Sequence, residues 1–132
     1  MEDVKTINKV ELEFTFNTSP HLLYNRLSTP SGLAEWFADD VNLSGNTFTF
    51  FWDGSQSKAE IIEKKENKSI KYRWLKEGSN QKNYFQFKIN VHELTGEVAL
   101  QVIELLDSSE DIDESISLWN TQIGELKRVL GI

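Results

Sequence analysis

The sequence predicts an α+β domain in which a curved antiparallel sheet wraps a long C-terminal helix, with two short helices following the first strand. Three observations carry this. From Ser109 to Leu130 the apolar residues Ile112, Ile116, Trp119, Ile123, Leu126 and Leu130 recur at steps of four and three, which places them on one helical face. From Val41 to Leu106 the apolar period is two, broken at short intervals by turn residues. Between the first alternating segment and that run stand two proline-led helix starts.

Residues 4 to 16 alternate, with Val10, Leu12, Phe14 and Phe16 on one face and Lys9, Glu11, Glu13 and Thr15 on the other, as in a half-buried strand. Ser19 then caps a helix opened by Pro20 and carrying Leu22, Leu23, Tyr24 and Leu27. Thr29-Pro30-Ser31-Gly32 ends it and starts a second, with Leu33, Trp36 and Phe37. That break predicts a movable lip over residues 28 to 40. Phe48, Phe50 and Trp52 share one face of the next clear strand, entered through Ser44-Gly45-Asn46 and left through Asp53-Gly54. Lys58 to Lys65 is less regular because Ile61 and Ile62 are adjacent. Asn67-Lys68 turns into Ile70, Tyr72 and Trp74, and Glu77-Gly78-Ser79-Asn80 turns into Phe85, Phe87, Ile89 and Val91. Thr95-Gly96 leads to the last strand, Glu97 to Leu106. Such short connections demand antiparallel neighbours, since a parallel pair needs a crossover of about a dozen residues. The final helix opens on Ser108 or Ser109 as cap with Glu110, Asp111, Asp113 and Glu114 at its positive end, and closes on Lys127, Arg128 and Gly131. At 1.5 Å per residue it spans roughly 33 Å, so the sheet has to curl around it. This is a helix-grip architecture, and residues 1–132 form one domain.

The bulk composition narrows the function classes. With 132 residues the chain supports one core, and with no cysteine it has neither disulfides nor thiolate chemistry. A net charge of -7 and a pI near 4.8 argue against a nucleic-acid partner, which needs clustered cations. Met1-Glu2-Asp3-Val4-Lys5 lacks a basic region followed by an apolar run, and no apolar segment approaches a membrane span, so the chain reads as soluble and cytoplasmic.

Several stretches carry a family resemblance: Thr29-Pro30-Ser31-Gly32-Leu33 with Trp36 and Phe37, Gly45 with Phe48 and Trp52, Asn67-Lys68-Ser69-Ile70 with Arg73 and Trp74, and Trp119 with Gly124 and Leu126. In this order they resemble the START-like superfamily, which includes the Bet v 1 allergens and polyketide cyclases, and within it the branch named for the activator of the Hsp90 ATPase homologue. The resemblance covers essentially the whole chain. It implies a cavity between sheet and long helix that in relatives holds lipids, sterols or polyketides; some relatives are cyclases and others co-chaperones.

The aromatic content, four Trp, three Tyr and eight Phe, is the first candidate for chemistry. Any one of these rings is more readily explained as core, yet a curved sheet and a lone helix leave space that side chains need not fill. The expected lining is Trp36, Phe37, Phe50, Trp52, Tyr72, Trp74, Phe85, Phe87, Trp119 and Ile123, with the Tyr72 hydroxyl orienting a ligand. His21 and His92 have no metal-ligand spacing and read as surface residues, so no metal and no cofactor is expected. No Gly-x-Ser-x-Gly, catalytic Ser/His/Asp order or glycine-rich phosphate loop is present. Glu63 and Glu104 share the inward parity of their strands, and the sequence favours solvated strand ends for both over a buried acid. The expected function is non-enzymatic, non-covalent binding of an apolar or amphipathic small molecule. A co-chaperone-like domain with a protein partner and a cyclase-like enzyme are the alternatives.

Overall fold

The computed structural model describes residues 8–75, 83–106 and 111–132. The expected turn at Glu77 to Asn80, the caps at Ser108 and Ser109, Glu110, and the first residues of the opening strand lie outside the described residues. Strands β1 (Asn8–Phe16), β2 (Asp40–Ser44), β3 (Thr47–Trp52), β4 (Ser55–Lys65), β5 (Ser69–Leu75), β6 (Tyr84–Val91) and β7 (Val98–Leu106) form one sheet in the order β1-β7-β6-β5-β4-β3-β2. Every pairing is antiparallel. Helices α1 (Pro20–Ser28) and α2 (Pro30–Leu33) follow β1, and α3 (Ile112–Leu130) ends the chain.

The path between β1 and β2 explains why two helices stand there. These strands are consecutive in sequence but occupy opposite edges of the sheet, so α1 and α2 carry the chain across it, over β5 and β6. Leu23, Leu27 and Leu33 are fully buried in the same core as Phe48, Phe50, Tyr72, Phe85 and Phe87. The stripe of α3 closes this core through Trp119, Ile123 and Leu126, all buried. Near the helix C-terminus the Lys127 ammonium lies 5.3 Å from the centre of the Phe16 ring of β1.

Two expectations are corrected. The N-cap of α3 is Asp111, whose carboxylate accepts from the amides of Asp113 (2.9 Å) and Glu114 (3.2 Å). The helix therefore begins at Ile112, and Ile112 itself is exposed. In β4 the adjacent isoleucines mark a β-bulge: Ile61 pairs with Tyr72 while Glu63 pairs with Lys71, so the extra residue switches the parity. Glu63 is thereby turned outward beside Lys71 and is exposed. It is not an inward acid.

Candidate functional site

The site is built where α1, the turn after α2, the end of β3 and the middle of α3 converge. Proline 30 has no N–H to bond the Arg26 carbonyl four residues earlier, so α1 must end with its last carbonyls satisfied by side chains. The Thr29 hydroxyl donates to Asn25 O (2.8 Å), the Trp36 indole N–H to Arg26 O (2.8 Å), and the Tyr72 hydroxyl to Leu27 O (2.6 Å). Thr29 Oγ1 also accepts from the amide of Gly32 (2.9 Å). A Cβ at Gly32 would stand 2.3 Å from Asn25 O and 2.8 Å from Arg26 Cα, so only glycine lets α2 lie this close to α1. These hydrogen bonds join the segment predicted to be a movable lip to α1, and the Tyr72 hydroxyl expected to orient a ligand donates to a helix-end carbonyl.

Phe37 is the centre of the aromatic cluster. Its ring centre lies between 4.9 and 6.0 Å from those of Trp36, Phe50, Trp52, Phe85 and Trp119. Tyr72 stacks on Phe85 at 4.8 Å, Trp74 meets Phe85 at 4.8 Å, and Phe87 meets Trp119 edge-on at 5.7 Å. With Ile123 in the same core, all ten expected lining residues come together. They are not equally reachable. Phe50, Tyr72, Phe85 and Phe87 expose no surface even to water, so no water-sized void borders them. Trp36, Phe37 and Trp119 retain 4–6 % exposure, and Trp52 and Trp74 are half-buried.

The reachable edge of the cluster opens into a cleft of about 480 Å³ between residues 34–39, Trp52 and the Leu118, Gln122 and Glu125 face of α3. One carbonyl joins its walls: Phe37 O accepts from the Trp52 indole N–H (2.9 Å) and from Gln122 Nε2 (3.1 Å). Of the carboxylates around it, Glu35 pairs with Arg26 at 3.1 Å and Glu125 pairs with Arg128. The hydrogen bond from Arg128, followed by its charge, holds the Glu125 carboxyl below its ordinary pKa. Leu118, Gln122 and Glu125 were not among the expected site residues. Their spacing of four and three puts them on one face beside the core stripe, and Leu118, apolar yet 57 % exposed, was the available signal.

Glu104 is the inward acid that the structure retains. Paired with Phe85 and Val10, it accepts from the Trp119 indole N–H (2.7 Å) and the Ser115 hydroxyl (2.9 Å), so it faces α3 and is half-buried. His21 and His92 are exposed. His21 Nδ1 lies 3.4 Å from Asn67 Oδ1, and His92 Nδ1 accepts from the amide of Leu94 at 3.2 Å.

A seven-stranded antiparallel sheet holding a C-terminal helix, with two short helices between its edge strands, matches the family model for a START-like superfamily domain over residues 4–132. The chain belongs to the START-like superfamily. Among solved structures, BfR322 from Bacteroides fragilis is 34% identical with a TM-score of 0.64, covering 96% of this chain and 93% of that one. The Aha1 dimer from Colwellia psychrerythraea is 17% identical with a TM-score of 0.81, over 95% and 97% of the two chains. CalU16 from Micromonospora echinospora is 11% identical with a TM-score of 0.74, over 96% and 83%. The last two share the START-like fold with this chain. No functionally curated sequence matches it. Among the described residues no helix is long and apolar enough to cross a membrane.

Proposed function

We propose that this START-like domain binds an apolar or amphipathic small molecule without transforming it, at the point where the Trp52 cleft meets the aromatic cluster beneath α3. The observation that supports this best is the gradation of exposure: among the described residues, Phe50, Tyr72, Phe85 and Phe87 are sealed, while half-buried Trp52 with Trp36 and Phe37 lines the cleft. A volume of about 480 Å³ is within the usual range for small-ligand sites. Gln122 supplies a polar contact at the rim, and Trp52 supplies a ring face.

Magnitudes separate two depths of binding. Covering about 150 Å² of apolar ligand surface at the rim contributes about 4 kcal/mol, which alone corresponds to roughly millimolar affinity. Micromolar binding needs about twice that, so the ligand's apolar part has to pass Phe37 and displace side-chain contacts around Phe85 and Phe87. A panel of fatty acids, sterols and aromatic polyketides, titrated while tryptophan emission is followed, tests the reading. Saturable changes that Trp52→Phe diminishes and Gln122→Ala weakens are expected. An unresponsive emission across the panel would shift the balance to an outer-surface, protein-binding role.

A further inference from the structure

At the far end of β4 from the Trp52 cleft, the structure gathers positive charge in a strongly acidic chain. β4 begins at Ser55, paired with Trp52, and ends at Lys65, paired with Ser69; its eleven residues separate the two places by about 33 Å. There a second cleft, about 500 Å³, is lined by Lys65, Lys68 and Lys88 together with Ser69, and by the apolar Pro20, Ile89 and Val91. The register explains the gathering: Ser69 pairs with Lys65 on one side and with Lys88 on the other, so two lysines flank one serine across three strands. Lys68 follows from the turn, where Asn67 takes the left-handed conformation (φ 62°) and the Lys68 amide bonds Lys65 O at 2.9 Å.

We propose that this cleft binds the anionic head of an amphiphile, an oxyanion such as a phosphate monoester, with its apolar part lying along Pro20 and Val91. Four observations lead there. Among the described residues none of the three lysines forms an ion pair, although the protein carries a net charge of -7. The acid of the same turn, Glu66, lines a neighbouring hollow with Tyr24 and His21 and does not line this one. Ser69 is 7 % exposed and its hydroxyl makes no hydrogen bond among the described residues, which leaves a buried donor at a site where anionic oxygens would accept one. The lining also carries apolar surface in Pro20, Ile89 and Val91, of which Val91 is 51 % exposed. A cleft that brings three lysines and one buried serine together suits a single head group from solution better than a flat bilayer surface.

The test is a titration of the intact, isotope-labelled protein followed by amide and Lys side-chain NMR, with three probes: dodecyl phosphate below its micelle concentration, inorganic phosphate, and dodecyltrimethylammonium. Dodecyl phosphate is expected to shift signals of residues 65–69 and 88–91 saturably, more tightly than inorganic phosphate, and less tightly as salt rises. The Lys65→Gln/Lys88→Gln variant is expected to weaken binding about tenfold or more, and Ser69→Ala about threefold to tenfold, with unchanged circular dichroism. Unaltered affinity in the folded double variant overturns the site. Equal shifts with dodecyltrimethylammonium overturn its preference for anions, and equal affinity for inorganic phosphate overturns the apolar half of the proposal. Binding to phosphatidylserine vesicles but not to monomeric dodecyl phosphate replaces the small-molecule site with a membrane contact.

Discussion

Replacing Tyr72 by Phe removes one oxygen and tests how the domain holds α1 against the sheet. The phenol donates to Leu27 O at 2.6 Å, and both residues have no exposed surface. The ring keeps its stack on Phe85 and its edge contact with Phe48, so packing is nearly conserved. What is lost is the donor to a carbonyl at a helix end, and leaving such a group buried costs about 1–3 kcal/mol. We expect a loss near 2 kcal/mol in urea, with the midpoint lowered and the slope unchanged. The same hydroxyl sets an alkaline limit. Burial first, then the charge of Tyr24, keeps the Tyr72 pKa well above its ordinary value of 10.0. The folded state therefore holds this proton after the unfolded chain has released it. The contribution of this hydroxyl is level below about pH 10 and falls as pH rises toward the higher folded pKa. In Tyr72→Phe this fall should be shallower, with the remaining slope due in part to Tyr24, whose pKa burial also raises. A loss below about 0.5 kcal/mol at neutral pH, or an alkaline limb identical to the parent's, would refute the assignment.

Other variants probe the remaining joints. Trp119→Ala should cost about 3–5 kcal/mol in denaturant melts, because the ring packs on Phe37, Phe85 and Phe87 and its N–H satisfies Glu104; a cost below about 1 kcal/mol contradicts the gripping of α3 by the sheet. Gly32→Ala forces α2 away from Asn25 and Arg26 and should lower stability by at least about 1 kcal/mol, measured by thermal unfolding. Gly124→Ala has the opposite sign: a Cβ there meets nothing within 4 Å, and the higher helix propensity of alanine should add about 0.5–1 kcal/mol.

The architecture was legible because its signals are local and periodic. The stripe of Trp119, Ile123 and Leu126 and the alternation through Phe48, Phe50, Tyr72, Phe85 and Phe87 point inward as their spacing requires. Ile61-Ile62 showed that β4 was irregular, yet period two cannot say where an extra residue is absorbed, so the outward turn of Glu63 emerged only from its pairing with Lys71. The polar duties of Trp36 and Tyr72 were hidden for another reason. Pro30 predicts that a carbonyl of α1 lacks its donor, but which distant side chain replaces it depends on tertiary placement. The cleft face of α3 and the meeting of Lys65 with Lys88 across Ser69 likewise depend on how elements pack and on strand register.

The most direct test of ligand binding beneath α3 is the set of four tryptophan indole N–H signals, followed by NMR as members of the apolar panel are added. Trp52 shares the Phe37 carbonyl with Gln122 at the cleft rim, so its indole signal and the Gln122 side-chain amide should move together and first, with Trp119 following for ligands that pass Phe37. Movement of those signals with a common saturation curve is the predicted result. Indole and Gln122 signals that stay fixed while every panel member is added would contradict binding at this site.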